Sequence, residues 1–275
     1  ETAFRSSADY ATGPFFGCFF GHLSLSDEEN RYGLLTKTGK WRVKPEFYSI
    51  DYWDGNNFSA KREMFGLCSL YQATGKIVLE EYDGGGGPVS DGLVMASLQK
   101  DKMGRRGFRR LTGDWQIMPR FDGVTQFVQG RAFVTEGLGA KRKAGIIDRN
   151  GDWIRVFPKR VVGFCDEISE GIIGVYCTKS CGLMDLNGDF LCEGEWDPMR
   201  RKVIGGCIAV MDPKTKKFGL IDTFGKWRLM PQFDQVADQV GPFVTFYRKT
   251  NELFDIVVAN NSGEIIWDGP AATWG

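Results

Sequence analysis

Glycines stand at positions 39, 75, 113, 151, 188, 225 and 263, spaced 36 to 38 residues apart over nearly the whole chain. A fixed period of this length is the signature of one supersecondary unit used again and again. Such a unit cannot bury its apolar face alone, so its copies must stack on one another. The sequence therefore reads as a single repeat domain, residues 1–275, of seven units of about 37 residues each.

The units parse alike. A strand of small and aromatic residues comes first, as in Gly130-Arg-Ala-Phe-Val-Thr135 or Pro242-Phe-Val-Thr-Phe-Tyr247. A polar hairpin follows, such as Ala140-Lys-Arg-Lys143 or Lys214-Thr-Lys-Lys217, and then a strand of the type Phe218-Gly-Leu-Ile-Asp222. The turn with the periodic glycine leads into a strand opened by Trp41, Trp115, Trp153 or Trp227. Asn150-Gly151 and Asn187-Gly188 suit a turn that needs positive φ. Alternating apolar residues and β-branched enrichment predict strands throughout, and no window has a helical period. The Trp strands run into Pro45-Glu-Phe47, Pro119-Arg-Phe-Asp122 and Pro231-Gln-Phe-Asp234, where proline, lacking a donor, is expected to end the ladder.

Three antiparallel strands would leave the chain at the wrong end to begin the next unit in the same way. A fourth, crossing strand is required, and four short strands are the content of one propeller blade. The fold class is thus all-β, a seven-fold repeat read as a seven-bladed β-propeller. The alternative is an open β-solenoid of hairpin units, which would carry polar caps at its ends. Gly13-Pro-Phe-Phe-Gly-Cys-Phe-Phe20 instead matches Gly241-Pro-Phe-Val-Thr-Phe246, and Gly269-Pro-Ala-Ala-Thr-Trp-Gly275 looks like a further opening strand. Ends that match one another suit closure and the loss of exposed edges.

The units resemble the bacterial WG-repeat family. The residues that carry the likeness are Tyr32-Gly-Leu-Leu…Gly39-Lys-Trp41…Pro45, Gly145-Ile-Ile-Asp…Gly151-Asp-Trp153 and Phe218-Gly-Leu-Ile-Asp…Gly225-Lys-Trp227…Pro231-Gln-Phe-Asp234. With weaker copies it spans about residues 14 to 268. Copy two has Ile77 in place of Trp, copy five has Phe190 and no Pro-x-Phe, and copy seven keeps only Gly263-Glu-Ile-Ile266. The resemblance implies a scaffold used in many contexts and brings no catalytic motif with it.

The chemistry-bearing residues were weighed against that scaffold. His22 is the single histidine, so any Ser–His or Cys–His nucleophile would need it, and a surface or edge-strand position is the simpler reading. Glu80 with Glu81, Asp166 with Glu167 and Glu193 with Glu195 follow the repeat rather than gather in one unit. No catalytic residue is assigned and no enzyme is expected, a glycosidase-type propeller being the alternative. Asp148-Arg-Asn-Gly-Asp152 and Asp185-Leu-Asn-Gly-Asp189 look superficially like calcium loops but fall on hairpin turns. Gly84-Gly-Gly-Gly-Pro88 lacks the strand and helix a phosphate cradle needs. No metal and no cofactor are assigned.

Seven cysteines without paired spacing imply reduced thiols. Cys68, Cys192 and Cys207 sit in apolar runs, and Cys177 and Cys181 could face one another across a hairpin. The expected location is the cytoplasm, or a reducing compartment into which the protein is delivered. No stretch approaches the length of about 20 apolar residues a membrane helix needs, so no membrane insertion is expected.

Thirty-five basic residues balance thirty-five acidic ones. The hairpins between first and second strands are nonetheless net basic. Much of the compensating negative charge lies on the connections, at Glu46, Asp51, Asp54, Asp83, Asp122, Asp166, Glu167 and Asp234. Strand direction puts both at one end of the sheets, where neighbouring units could pair their charges. Units three and four concentrate cations at Lys100, Lys102, Arg105, Arg106, Arg109, Arg110, Lys141, Arg142 and Lys143, the candidate partner-binding residues. Such a patch attracts acidic proteins or phosphate backbones. Trp41, Trp115, Trp153 and Trp227 read as packing, while Trp53, Trp196, Trp267 and Trp274, off the repeat position, would be binding anchors if exposed. The function expected is a non-catalytic, monomeric module binding another protein. Nucleic acid or another polyanion, and a glycan, are the alternative partners.

Overall fold

The computed structural model describes residues 18–24, 30–36, 38–53, 56–82, 89–98, 104–250 and 254–270. They form seven antiparallel sheets of three or four strands. Among the described residues there is no α-helix, only a 3-10 turn at Gly139–Lys141. The chain divides into two compact units, residues 1–127 with 149–151, and residues 128–148 with 152–275.

In the first unit, sheet one comprises Cys18–Ser24, Asn30–Thr36 and Trp41–Phe47. Sheet two adds the expected fourth strand: Ser49–Trp53 follows at once and pairs with Asn57–Lys61, ahead of Cys68–Gln72 and Ile77–Tyr82. Sheet three holds Leu93–Ser97, Arg106–Arg110 and Trp115–Phe121. In the second unit, sheet four runs Ala132–Glu136, Lys143–Ile147, Trp153–Val156. Sheet five opens with Val161–Phe164, followed by Ile172–Cys177, Cys181–Asp185 and Phe190–Gly194. Cys207–Met211, Phe218–Asp222 and Trp227–Phe233 make sheet six. Sheet seven is Gln235–Val240, Phe243–Lys249, Phe254–Asn260 and Ile265–Pro270.

All seven periodic glycines have positive φ, from 77° at Gly39 to 95° at Gly113. The turn is the same each time. In sheet six the Gly225 amide donates to the Asp222 carbonyl at 3.0 Å and the Asp222 amide to the Lys226 carbonyl at 2.9 Å. Only the glycine is left-handed, so this is a type I turn closed by a glycine bulge rather than a two-residue turn with two positive φ values. The turn's first residue often caps it. Asp222 Oδ1 accepts from the amides of Phe224 and Lys226, and Asp185 Oδ1 from those of Asn187 and Asp189.

In five of the seven sheets the second strand carries a glycine three residues before the turn (Gly33, Gly107, Gly145, Gly182 or Gly219), and two residues after the periodic glycine the third strand opens with an aromatic. The two are one device. A Cβ on Gly219 would lie 2.8 Å from Cζ3 of Trp227 and 2.5 Å from the Leu229 carbonyl oxygen. A Cβ on Gly182 would lie 2.7 Å from Cε1 of Phe190. The aromatic ring occupies the space of the absent side chain. Where the second strand has a side chain at this position, Ser69 in sheet two and Val257 in sheet seven, the third strand opens with the smaller Ile77 or Ile265.

The prolines do not end the ladder. Trp41–Phe47, Trp115–Phe121 and Trp227–Phe233 each run straight through one. In each, four residues of the third strand span two of the second: Val43 to Phe47 faces Leu34 to Tyr32, and Leu229 to Phe233 faces Leu220 to Phe218. The resulting bulge brings Pro45 N within 2.8 Å of a Cβ placed on Gly33. Proline is accepted there because a bulged residue makes no ladder bond. Sheet two, with Ser69 and no proline, inserts one residue less: Leu79 to Tyr82 faces Leu70 to Cys68.

The bulge returns the last aromatic of the strand to the core. Phe47, Phe121 and Phe233 are fully buried, and Tyr82 fills that place in sheet two. The apolar clusters lie between successive sheets. In the first unit Leu34, Phe47, Phe58 and Tyr71 join sheets one and two, and Leu70, Tyr82 and Val94 join two and three. In the second, Phe133, Ile146 and Val175 join four and five, Leu183, Ile208 and Ile221 five and six, and Leu220, Phe233 and Phe246 six and seven.

Candidate functional site

Each sheet has two ends. One carries the glycine turns, the other the polar hairpins and the start of each connection. At the hairpin end the connection acids Glu46 and Asp234 meet cations. Asp166 and Glu167, expected at the same end, follow the first strand of sheet five and so lie at the turn end. Asp122 Oδ2 is buried without a hydrogen-bond partner. In the first unit Arg62 lies 3.7 Å from Glu46. In the second, Lys217 Nζ is 2.6 Å from Asp234 Oδ1 and Lys214 Nζ 2.9 Å from Glu195 Oε2. Arg160 meets Glu193 through both guanidinium nitrogens, at 2.6 and 2.9 Å, and stacks 4.7 Å above the Phe190 ring. Lys217 and the Lys249 amide hold the Asp234 carboxyl below its ordinary range, and the bond to Glu193 raises the Arg160 guanidinium.

At the turn end Arg200 lies 3.5 Å from Asp166, Lys202 3.2 Å from Glu167, and the Gly205 and Gly206 amides both donate to the Glu170 carboxylate. The acidic pairs at 166–167 and 193–195 are therefore engaged by cations of neighbouring loops and turns. Glu80 and Glu81 fall on strand Ile77–Tyr82 and His22 on strand Cys18–Ser24. Asp148 and Asp185 direct carboxylate oxygens at amides of their own turns. Residues 84–88 lie outside the described residues.

Among the described residues six thiols are free, with Cys68, Cys165 and Cys207 buried. Cys177 and Cys181 flank the hairpin across which Tyr176 pairs with Cys181. Burial pushes the Cys165 thiol up to about 12, and Cys181 and Cys192 up to about 11. That holds them as protonated, unreactive thiols at neutral pH.

The sequence-predicted basic residues fall in several places. Lys100 and Lys102 lie outside the described residues. Arg105 and Arg106 stand at the hairpin end of sheet three, but Arg110 is four residues along the same strand, at the glycine turn, where its amide bonds the Asp114 carbonyl. Arg109 is spent on packing, its guanidinium 4.6 Å above the Trp115 ring. Lys141, Arg142 and Lys143 stand together and exposed at the hairpin end of sheet four, in the second unit. Among the described residues none of these three has an ion pair.

The sequence reading missed three neighbours of that triplet: Lys159, Lys179 and the exposed Leu138. Lys159 and Lys179 belong to sheet five, and only strand pairing brings them close, through the bond from the Thr178 amide to the Arg160 carbonyl. Of the tryptophans off the repeat position, Trp196 is buried and so is no anchor, whereas Trp267 is 45% exposed on strand Ile265–Pro270. Trp53 falls on strand Ser49–Trp53, and Trp274 lies outside the described residues.

Comparison with solved structures places this fold among propeller-like proteins. The chain is similar to Hsv2p of Kluyveromyces lactis, at 10% identity and a TM-score of 0.55, over 96% of this chain and 97% of that one. It is also similar to a structure from work on two prolyl endopeptidases, at 10% identity and a TM-score of 0.50, over 96% of this chain but 41% of that one. A search of curated proteins found no match. The family model described as WG containing repeat matches residues 32–61 and 218–243, two of the three copies in which glycine, tryptophan and proline all coincide. The chain therefore carries the WG containing repeat, in an all-β fold of seven antiparallel sheets and propeller type.

Proposed function

We propose that the protein is a non-catalytic interaction module, a rigid repeat scaffold that offers one end of its sheets to a protein partner. One observation carries this reading. The acidic pairs 166–167 and 193–195 and the turn carboxylates of Asp148, Asp185 and Asp222 are engaged by the scaffold itself, while the hairpin of residues 137–143 keeps exposed, unengaged charge. A scaffold assembled by sheet-on-sheet packing leaves its hairpins free to vary without loss of core, which is how repeat proteins present binding surfaces. Among the described residues no helix is long and apolar enough to cross a membrane.

Affinity capture on the immobilised protein from source-cell extract, with and without nuclease, tests the reading. The expected result is a protein that survives nuclease treatment and binds again after purification. Capture that disappears with nuclease would replace the module by a nucleic-acid binder, and turnover of an added glycan would replace it by an enzyme.

A further inference from the structure

Sheets four and six correspond by strand pairing at their hairpin ends, although sheet four lacks the two extra residues of the sheet-six bulge. Gly145 corresponds to Gly219, so Lys143 corresponds to Lys217. The Phe157 amide donates to the Ala144 carbonyl, the counterpart of the pairing of Phe218 with Phe233, so Pro158 stands where sheet six has Asp234. In sheet six the aspartate takes up the lysine at 2.6 Å. In sheet four the acid is replaced by Pro158, and Lys159 and Arg160 follow. The lysine thus loses the connection acid that takes it up in sheet six, and cations follow in the acid's place.

The neighbouring sheet adds to this. Arg142 leans over strand Val161–Phe164, its Nη2 3.9 Å from the place a Cβ on Gly163 would take. The Thr178 amide bonds the Arg160 carbonyl at 2.9 Å, which puts Lys179 beside Lys159. Arg160 itself is satisfied by Glu193. Lys141, Arg142, Lys143, Lys159 and Lys179 are all exposed, and among the described residues none has an ion pair.

Two further features narrow the partner. Glu136, the cross-strand partner of Lys143, sets an acid at the edge of the cations. An acid at that border repels a continuous polyanion that must run past it more than a short acidic segment that ends before it. Leu138, 68% exposed, sits on the same hairpin, and its carbonyl accepts from the Lys141 amide at 3.2 Å, which ties the apolar tip to the first cation. The combination asks for carboxylates with an apolar residue beside them.

We propose that Leu138, Lys141, Arg142, Lys143, Lys159 and Lys179 form a docking site for an acidic peptide segment that also carries an apolar residue. The proposal rests on the interaction-module reading and names the chemistry of the partner.

Fluorescence anisotropy tests it with three labelled probes: a peptide of about ten residues alternating Glu and Leu, an all-Glu peptide of equal length, and an oligothymidylate of equal charge. The Glu–Leu peptide binds tightest, and added salt weakens it as the screening length falls below about 10 Å. Reversal at the triplet (Lys141→Glu, Arg142→Glu, Lys143→Glu) weakens it by at least about tenfold, whereas reversal at Lys216 and Lys226, exposed cations outside the patch, changes it less than about twofold. Leu138→Ala, which leaves the charges in place, weakens the Glu–Leu peptide by about threefold and leaves the all-Glu peptide unchanged.

No peptide binding, equal binding by the triplet variant, or an oligothymidylate bound as tightly as the peptide would overturn the assignment. The triplet variant also separates the two readings in extract. If it still captures the nuclease-resistant partner, the module stands and this site falls. If wild type captures no protein, the module itself falls.

Discussion

Gly219 shows how one hydrogen atom can set a strand's path. Its missing side chain admits both the Trp227 ring and the bulged Leu229 carbonyl, and a methyl group there has nowhere to go. Gly219→Ala should cost about 1–3 kcal/mol by overpacking, read as a lower denaturation midpoint at unchanged slope. Gly225→Ala should cost about 1–2 kcal/mol for a different reason, a φ of 79°. Asp234 adds a pH dependence. Its carboxyl is held low by Lys217 and by the Lys249 amide, so its folded value lies below its unfolded one. The stabilisation is present above about pH 4, the ordinary carboxylate value, and is lost as pH falls through the folded value. Asp234→Asn should therefore unfold more easily than wild type at pH 7, and the two should converge in acid. A gap that stays constant down the acid limb would show that the carboxylate charge contributes nothing.

At the scale of the element, the pairing of glycine with an aromatic is a volume exchange across two strands. Ser69 with Ile77 and Val257 with Ile265 are the same exchange run the other way. Converting sheet seven to the commoner arrangement tests this. Val257→Gly removes a fully buried side chain and Ile265→Trp adds a ring to an exposed edge, so each alone should destabilise. Together they should recover at least about 0.5 kcal/mol relative to the sum of the single changes. Strict additivity in that cycle would mean that the ring and the glycine do not share space in this sheet. The proline bulge belongs to the same scale: it occurs in three of the five strands that face glycine at the third position before the turn. It is absent opposite Gly145 and Gly182, where the strand has no proline, and is smaller in the strand facing Ser69.

Across the molecule, each sheet is held by its neighbours within its unit, as the clusters between sheets four and five, five and six, and six and seven show. The order of a repeat array predicts that damage spreads by contact. Leu220 is fully buried between sheets six and seven. Leu220→Ala should cost about 2–5 kcal/mol and raise hydrogen exchange most in sheets six and seven, least in sheet two of the other unit. Equal acceleration in all seven sheets would instead mark one cooperative block.

The sequence alone determined the period, the all-β class and the place of the glycine turns, because each rests on local chemistry; the fourth strand it asked for in every unit is missing among the described residues from sheets one, three and six. A positive φ asks for glycine, alternation asks for a strand, and antiparallel geometry asks for a crossing connection. The repeat also made visible that hairpin cations share an end with the acids that follow third strands, such as Asp234, though not with Asp166 and Glu167, which follow a first strand. It misread the prolines, because whether a donorless residue ends a ladder or sits in a bulge depends on the strand opposite, 12 residues back in the case of Pro45 and Gly33. It also grouped Arg105 to Arg110 as one patch, though alternation and strand length send them to a packing face and to opposite ends of one strand. Only the tertiary structure decided which cations are already neutralised and which are not. That depends on the acid that faces each one from another strand, and linear charge counting has no term for the strand opposite. Lys217 and Lys143 occupy the same repeat position, yet Asp234 faces the first and Pro158 stands in that place for the second.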